Sequence, residues 1–126
     1  MKKIILASVL TTVALASMVD ANAATSGIVC SAPTSAGNGT LSVNTSATDE
    51  MVVNAFTPKC SANVHMVFDQ AKAYFRIGSV SASGSRSFRG STAGGSVTSE
   101  ATCTGTTCGS AAAVTARDST SNPTSG

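Results

Sequence analysis

The sequence predicts a mainly β fold, a small antiparallel sandwich or Greek-key-like domain with two disulfides. Three observations support this prediction. Bulky residues that are β-branched or aromatic alternate with polar residues through the middle of the chain. Clusters of turn-forming residues, such as PTSAGNG and SASGS, separate these alternating runs. The chain has four cysteines, and small secreted domains commonly join such cysteines in disulfides.

The N-terminal sequence MKKIILASVLTTVALASMVDANA has the three parts of a secretory signal. Lys2 and Lys3 form a basic start, an uncharged apolar run follows over residues 4–18, and small residues stand at Ala21 and Ala23. A membrane anchor is the alternative, but the run is shorter than the roughly 20 residues that a spanning helix prefers. We therefore expect cleavage after Ala23. We expect no membrane span in the mature chain, because no second apolar segment follows.

The chain thus divides into a signal peptide over residues 1–23, a single secreted β-rich domain over 24–117 and a flexible tail over 118–126. More than half of the residues after the signal peptide are Ala, Gly, Ser or Thr, and most large apolar side chains fall between residues 51 and 80. This middle part can build a core. The C-terminal third must be held by a disulfide, docked onto the middle or another subunit, or left disordered.

Three strands are predicted in the first half of the domain. Residues 27–30 and 51–56 are rich in β-branched and apolar side chains, and residues 40–44 alternate polar and apolar ones, as in a half-buried strand. Pro58 should end the third strand, because proline cannot donate a hydrogen bond to a neighbouring strand.

The next segment, SANVHMVFDQAKAYFRIGSV, fits two structures. Its apolar residues alternate as on a strand, yet the spacing of the larger ones also fits one face of a helix within residues 61–77, capped by Ser61. The β-branched and aromatic content favours two strands, over 63–69 and 74–80, with a turn near 70–72. The short helix within 61–77 is the alternative.

Small and polar residues dominate the last third of the domain. The sequence predicts a hairpin tip at residues 83–85, Phe88 as a lone inward-facing anchor and a further turn at 94–95. Two weak strands, over 96–102 and 111–116, would flank the last two cysteines.

The four cysteines allow three disulfide pairings, of which we favour Cys30–Cys60 and Cys103–Cys108. The first would tie an early strand to the core segment, and the second would hold a local hairpin. The loss of unfolded-chain entropy is worth about 3.7 kcal/mol for the longer loop and about 2 kcal/mol for the shorter one. Zinc or thioredoxin-like chemistry fits less well, because the chain has one histidine and no Cys-x-x-Cys motif.

Arg76, Arg86 and Arg89 lie close in sequence, with Phe88 beside the last of them. A small contact patch for a glycan, a lipid head group or a nucleic acid is one interpretation, and solvated positions on strands are the plainer one. The formal net charge is +2 for the whole chain and about +1 without the signal peptide, which does not favour a polyphosphate partner. We therefore expect no nucleic-acid binding.

No catalytic signature is found in the sequence. His65 is the only histidine, and a triad would need it beside a serine and Asp49, Asp69 or Glu100. Its place in an alternating run predicts an outward-facing strand residue. There is neither a Gly-x-Ser-x-Gly elbow nor a phosphate-binding loop. We expect the protein not to be an enzyme and to hold no metal or cofactor.

These observations favour a secreted structural protein of the periplasm, cell surface or extracellular space. It would be a subunit of a filament, fimbria or matrix that self-associates or joins other surface subunits, because flat strands of small residues leave edges to which a strand can add. A small secreted binding or inhibitory module, such as an adhesin or inhibitor, is the alternative. In general style the chain is similar to chaperone-assembled pilus subunits, which also join an early strand to a later one by a disulfide. It matches no specific pilin motif, and no family is assigned.

Overall fold

The computed structural model describes residues 24–43, 50–94, 96–103 and 107–119 of the 126-residue chain. The predicted signal peptide therefore lies outside the described residues, as does the tail from residue 120 onward. The elements, in chain order, are β1 (Thr25–Ser31), β2 (Gly37–Asn38), β3 (Lys59–Cys60), β4 (Val64–Ala71), β5 (Tyr74–Ser81), β6 (Arg86–Ser91), β7 (Thr98–Thr102) and α1 (Ser110–Arg117). The mainly β fold with antiparallel sheets and two disulfides is thus confirmed.

Strands β1, β4, β5, β6 and β7 form a five-stranded antiparallel sheet in that spatial order, and β2 pairs with β3 in a short ribbon. From β4 to β7 each strand pairs with the next one along the chain, as expected where short turns join alternating runs. The segment that fitted both a helix and strands forms β4 and β5, with a turn at residues 72–73. This confirms the favoured prediction for it.

The first core lies between the β1–β4 side of the sheet and the segments around Leu41 and Val52 that cross over it, termed the covering chain. Its buried members are Val29, Cys30, Leu41, Cys60 and Phe68. The ring of Phe75 packs at their border, 5.8 Å from the ring of Phe68 between centroids. This core closes one half of one sheet face.

The covering chain is irregular, so the predicted strands over 40–44 and 51–56 are wrong where the structure describes them. Residue 44 lies outside the described residues. In residues 51–56, the buried side chain of Gln70 makes backbone hydrogen bonds that a neighbouring strand would otherwise make. The Gln70 Oε1 atom accepts from the Val52 N–H at 3.0 Å, and the Gln70 amide nitrogen donates to the Val52 carbonyl at 3.5 Å.

Helix α1 covers the opposite face of the sheet. Its buried Ala113 packs with Val67, Val80 and Cys108 in a second core. Gly78 permits the close approach, because a Cβ atom at this position would lie 2.0 Å from the carbonyl oxygen of Ala113. The helix therefore rests directly on the backbone of β5.

The predicted weak strand over 111–116 is wrong, because these residues lie inside α1. The run SAAAVTAR is rich in alanine, the strongest helix former. Arg117 in the last turn also suits the negative end of the helix dipole. The C-terminal third is thus docked onto the middle of its own chain, which is one of the outcomes that the sequence left open.

Both favoured disulfide pairings are confirmed. Cys30–Cys60 joins β1 to β3 with a Cα–Cα distance of 5.8 Å, and Cys103–Cys108 has a distance of 5.4 Å. The second disulfide does not hold a hairpin, because Cys103 follows β7 and Cys108 precedes α1. It ties the start of the helix to the sheet.

Candidate functional site

The four residues of the predicted contact patch lie on two faces of the sheet. Side chains alternate between the two sheet faces along β6, so Arg89 lies on the face that α1 covers and Phe88 lies on the opposite face. Arg89 pairs there with Glu100, and Arg76 is buried on the same face. Arg86 and Phe88 are exposed on the opposite face. The structure therefore does not bring the three arginines together.

Arg76 belongs instead to a buried network that joins the sheet to the end of α1. Its Nε donates to Asp69 Oδ2 at 2.7 Å, and the Tyr74 hydroxyl donates to the same oxygen at 3.0 Å. Its Nη2 lies 3.1 Å from Asp118 Oδ1, and its Nη1 donates to the carbonyl oxygen of Arg117 at 3.3 Å. Carbonyls in the last turn of a helix have no partner within the helix. The network supplies one such partner and holds the helix end against the sheet.

The electrostatics of the network suit this structural role. Burial raises the pKa of the Tyr74 hydroxyl above its ordinary value, and the hydrogen bond to Asp69 raises it further. The hydrogen bond from Arg117 lowers the pKa of the Asp118 carboxyl, and the same bond raises the pKa of the Arg117 guanidinium. Tyr74 and Asp69 are only 5% and 6% exposed, so a substrate has no access to them.

His65 lies half-buried on β4. Asp69 is four residues further along the same strand, about 13 Å away at the usual strand spacing, and it is bonded to Tyr74 and Arg76. Asp49 lies outside the described residues. Among the residues that are described, no three His, Cys, Asp or Glu side chains are grouped so that they could hold a metal ion.

The exposed apolar surface of most interest lies on β5, β6 and the approach to β7, opposite α1. It consists of Phe75, Ile77, Phe88, Gly90 and Val97, and is termed the open face. The first core extends only as far as Phe75, and beyond it Phe88 is 43% exposed and Val97 is 72% exposed. Phe88 is therefore not the inward-facing anchor that the sequence predicted, because no described part of the chain covers it.

A shallow hollow of about 210 Å³ lies within the open face. It is lined by Phe75, Ile77, Gly90 and Val97, with Ser91 and Thr92 at its side. The absence of a side chain at Gly90 lets Val97 lie over β6, where a Cβ atom would be 3.3 Å from Val97 Cγ2 and 3.8 Å from Ile77 Cγ2. The hollow is almost entirely apolar and opens to solvent.

Both edge strands of the sheet are irregular. The pairing register shifts between Ile28 and Cys30 in β1, and between Arg86 and Phe88 where β6 meets β7. Such bulges interrupt the regular row of backbone groups that an incoming strand needs. They make strand addition at either edge less favourable than at a regular edge strand.

Sequence reasoning missed two sets of polar residues: the network around Asp69, and a buried group formed by Glu50 and Gln70. One signal was available, since polar side chains within strongly apolar strands usually require buried partners. The partners themselves were not identifiable, because Gln70 lies 20 residues from Glu50 and Arg76 lies 41 residues from Arg117.

A scan against protein-family models and searches of curated proteins and of solved structures found no match for this chain. Within the described ranges, the structure contains no helix with the length and apolar character needed to cross a bilayer.

Proposed function

We propose that this chain is a secreted structural protein that self-associates, or joins other surface subunits, through the open face. The observation that carries the proposal is the exposure of Phe88 and Val97 beside Ile77 on a half-sheet that no described residue covers. Packing of a second layer onto apolar surface of this kind is favourable, because it removes that surface from water.

A second copy of the chain is a suitable second layer. None of the five residues of the open face is charged, although the exposed Arg86 lies on the same sheet face two residues before Phe88. A surface of this kind can be its own partner about a two-fold axis. Two antiparallel sheets that meet face to face pack with their strands about 30° apart and their alternate side chains interdigitated.

The size of the open face sets the expected strength of this contact. Three strands by five residues cover roughly 240 Å² at ordinary strand spacings, whereas a standard interface buries about 800 Å² on each partner. The open face alone therefore holds two copies weakly. Stable assembly therefore requires further contacts beyond the open face.

The docked helix α1 argues against assembly in which one subunit supplies a missing strand to another. Since α1 covers the second core, a neighbour need not supply a missing strand there. Cleavage after Ala23 would also leave one residue before β1, which is too short an arm to reach another subunit. Face-to-face packing is thus better supported than exchange of a terminal strand.

Sedimentation velocity of the chain that begins at Ala24 tests the proposal. We expect the sedimentation coefficient to rise with protein concentration, and to rise less in Val97→Thr and Phe88→Thr, which make the open face more polar. Val114→Thr is the matched control, because it is the same substitution at an exposed position on α1, on the other side of the sheet. A monomer at all concentrations, or equal effects of the three variants, would contradict the proposal.

The hollow favours one alternative, a secreted binding module. Its volume of about 210 Å³ and its apolar lining suit a single bulky side chain of a partner protein. A chain that stays monomeric, yet loses attachment to cell-surface material in Val97→Thr but not in Val114→Thr, would support this alternative over self-association.

A further inference from the structure

The start of β1 lies beside a buried carboxylate. Glu50 is 6% exposed, and its Oε1 accepts a hydrogen bond from the Thr25 hydroxyl. Its Oε2 accepts from the amide nitrogen of Gln70 at 2.9 Å. Thr25 and Gln70 are themselves partners across the β1–β4 ladder. The carboxylate is thus placed at the first residue of the first strand.

Gln70 connects this carboxylate to the covering chain. It is fully buried and exchanges hydrogen bonds with both backbone groups of Val52. The position of Glu50 is therefore fixed on two sides, by the strand that begins at Thr25 and by the amide that holds residues 50–52. A charge added at the start of β1 would act on this whole junction.

Ala24 directly precedes Thr25, and it is the residue that the predicted cleavage would leave at the N-terminus. Consecutive Cα atoms are about 3.8 Å apart, so one residue of chain separates the backbone nitrogen of Ala24 from the Thr25 hydroxyl, which contacts the carboxylate. In the precursor this nitrogen is a neutral peptide N–H. After cleavage it is an ammonium group with an ordinary pKa of about 7.7–8.0.

We propose that removal of the signal peptide creates an α-ammonium group at Ala24 that pairs with the carboxylate of Glu50. The pair adds an ionic interaction to the hydrogen bonds from Thr25 and Gln70. Opposite charges that meet at a partly desolvated site interact more strongly than on the open surface. Cleavage during export would thereby stabilise the junction between β1 and the chain that covers the first core.

The sign of the pH dependence follows from the pairing. A nearby carboxylate favours the charged form of the amine, so its pKa in the folded protein lies above its value in the unfolded chain. The stabilisation is then fully present below about pH 7.7 and is lost as the pH rises through the higher pKa of the folded state.

A double-mutant cycle tests the pair in the chain that begins at Ala24. One arm removes the positive charge by selective acetylation of the α-amine, and the other is Glu50→Gln. We expect acetylation to lower the folding equilibrium constant on the order of fivefold in the wild-type chain, within the range of partly exposed ion pairs, and to have little effect in Glu50→Gln. Glu100→Gln is the matched control, because Glu100 is a partly buried glutamate at the opposite edge of the sheet. In that background acetylation should keep its full effect.

A second measurement decides the matter if Glu50→Gln fails to fold. The α-amine of Ala24 in the wild-type chain is titrated by nuclear magnetic resonance, and its pKa should exceed about 8.0 by at least half a unit. An ordinary pKa, an additive cycle, or an exported chain whose N-terminal residue is not Ala24 would each overturn the inference. The inference rests on the predicted export and not on the open face, so failure of self-association would leave it intact.

Discussion

Among the described glycines, Gly78 has the least room for a side chain, and replacing this residue by alanine is the sharpest test of the fold. A Cβ atom there would lie 2.0 Å from the carbonyl oxygen of Ala113 and 2.6 Å from the backbone nitrogen of Arg117. Both atoms belong to the backbone of α1, so rotation of a side chain cannot relieve the overlap. Gly78→Ala must push the helix away from β5.

The geometry sets the size of the effect. An ordinary contact begins at 3.4 Å, so the helix must retreat by roughly 1.4 Å, enough to forfeit much of the dispersion attraction across the contact. Ala113 and Ala116 have no exposed surface in the docked helix and would lose this packing. Overpacking a core usually costs about 1–3 kcal/mol. Since backbone atoms are involved, we expect a loss of about 2–4 kcal/mol, which lowers Tm by about 10–25 °C.

Thermal and urea unfolding, followed by circular dichroism, measure this loss. Gly37→Ala is the matched control, because the nearest atom to a Cβ there is the Ser35 carbonyl oxygen at 4.0 Å. It should change the free energy of unfolding by less than about 0.5 kcal/mol. If Gly78→Ala were as mild as the control, α1 could not rest on β5 as described.

Three further predictions concern the disulfides, the tyrosine and the start of α1. Cys30→Ser should lower the free energy of unfolding more than Cys103→Ser, about 3.7 against about 2 kcal/mol from chain entropy. Urea unfolding measures both losses, and equal losses would contradict the argument from loop length. Tyr74 is the only tyrosine, and its pKa is raised mainly by burial, so its contribution is fully present below about pH 10 and is lost as the pH rises through the folded-state value. The absorbance of Tyr74 should therefore show that the hydroxyl ionises above pH 10, together with unfolding. Tyr74→Phe should remove the part of the alkaline loss of stability that this ionisation causes. Ionisation of Tyr74 at its ordinary pKa in a chain that stays folded would contradict the prediction. Gly109 is the N-cap of α1 at φ −92° without a side-chain cap and with open space around it, so Gly109→Asp should add about 0.5–1 kcal/mol of stability in thermal unfolding. Gly109→Asn separates the cap from the charge, and a loss of stability in both variants would refute the proposed gain.

Features that depend on residues close together in the sequence were predicted well. The alternation in VHMVF and the β-branched content around it placed β4 and β5, because a strand with one face in a core shows period two in its own sequence. The disulfide pairing followed from the predicted compartment and from the short spacing of Cys103 and Cys108. Both arguments need only local sequence and the chemistry of the cysteines.

The helix at the C-terminus shows where local evidence was insufficient. An eight-residue helix is marginal in water by itself, even when it is rich in alanine. It is stable here because Ala113 packs against the sheet at Gly78 and because Cys108 ties the preceding residues to the end of β7. The predicted weak strand over 111–116 was wrong because it overlooked the alanine content of the segment and the distant residues on which the helix docks.

The sequence by itself predicted strands β4 and β5, a favoured pairing of the cysteines and an exported chain. These properties depend on patterns within a few residues or on the identity of the side chains. Only the tertiary structure decided that Arg76 is buried beside Asp69 and Asp118, that Glu50 contacts Thr25, and that Phe88 is exposed. Each of these depends on which distant segment packs against which sheet face, and that choice is made by the sum of many contacts across the whole domain.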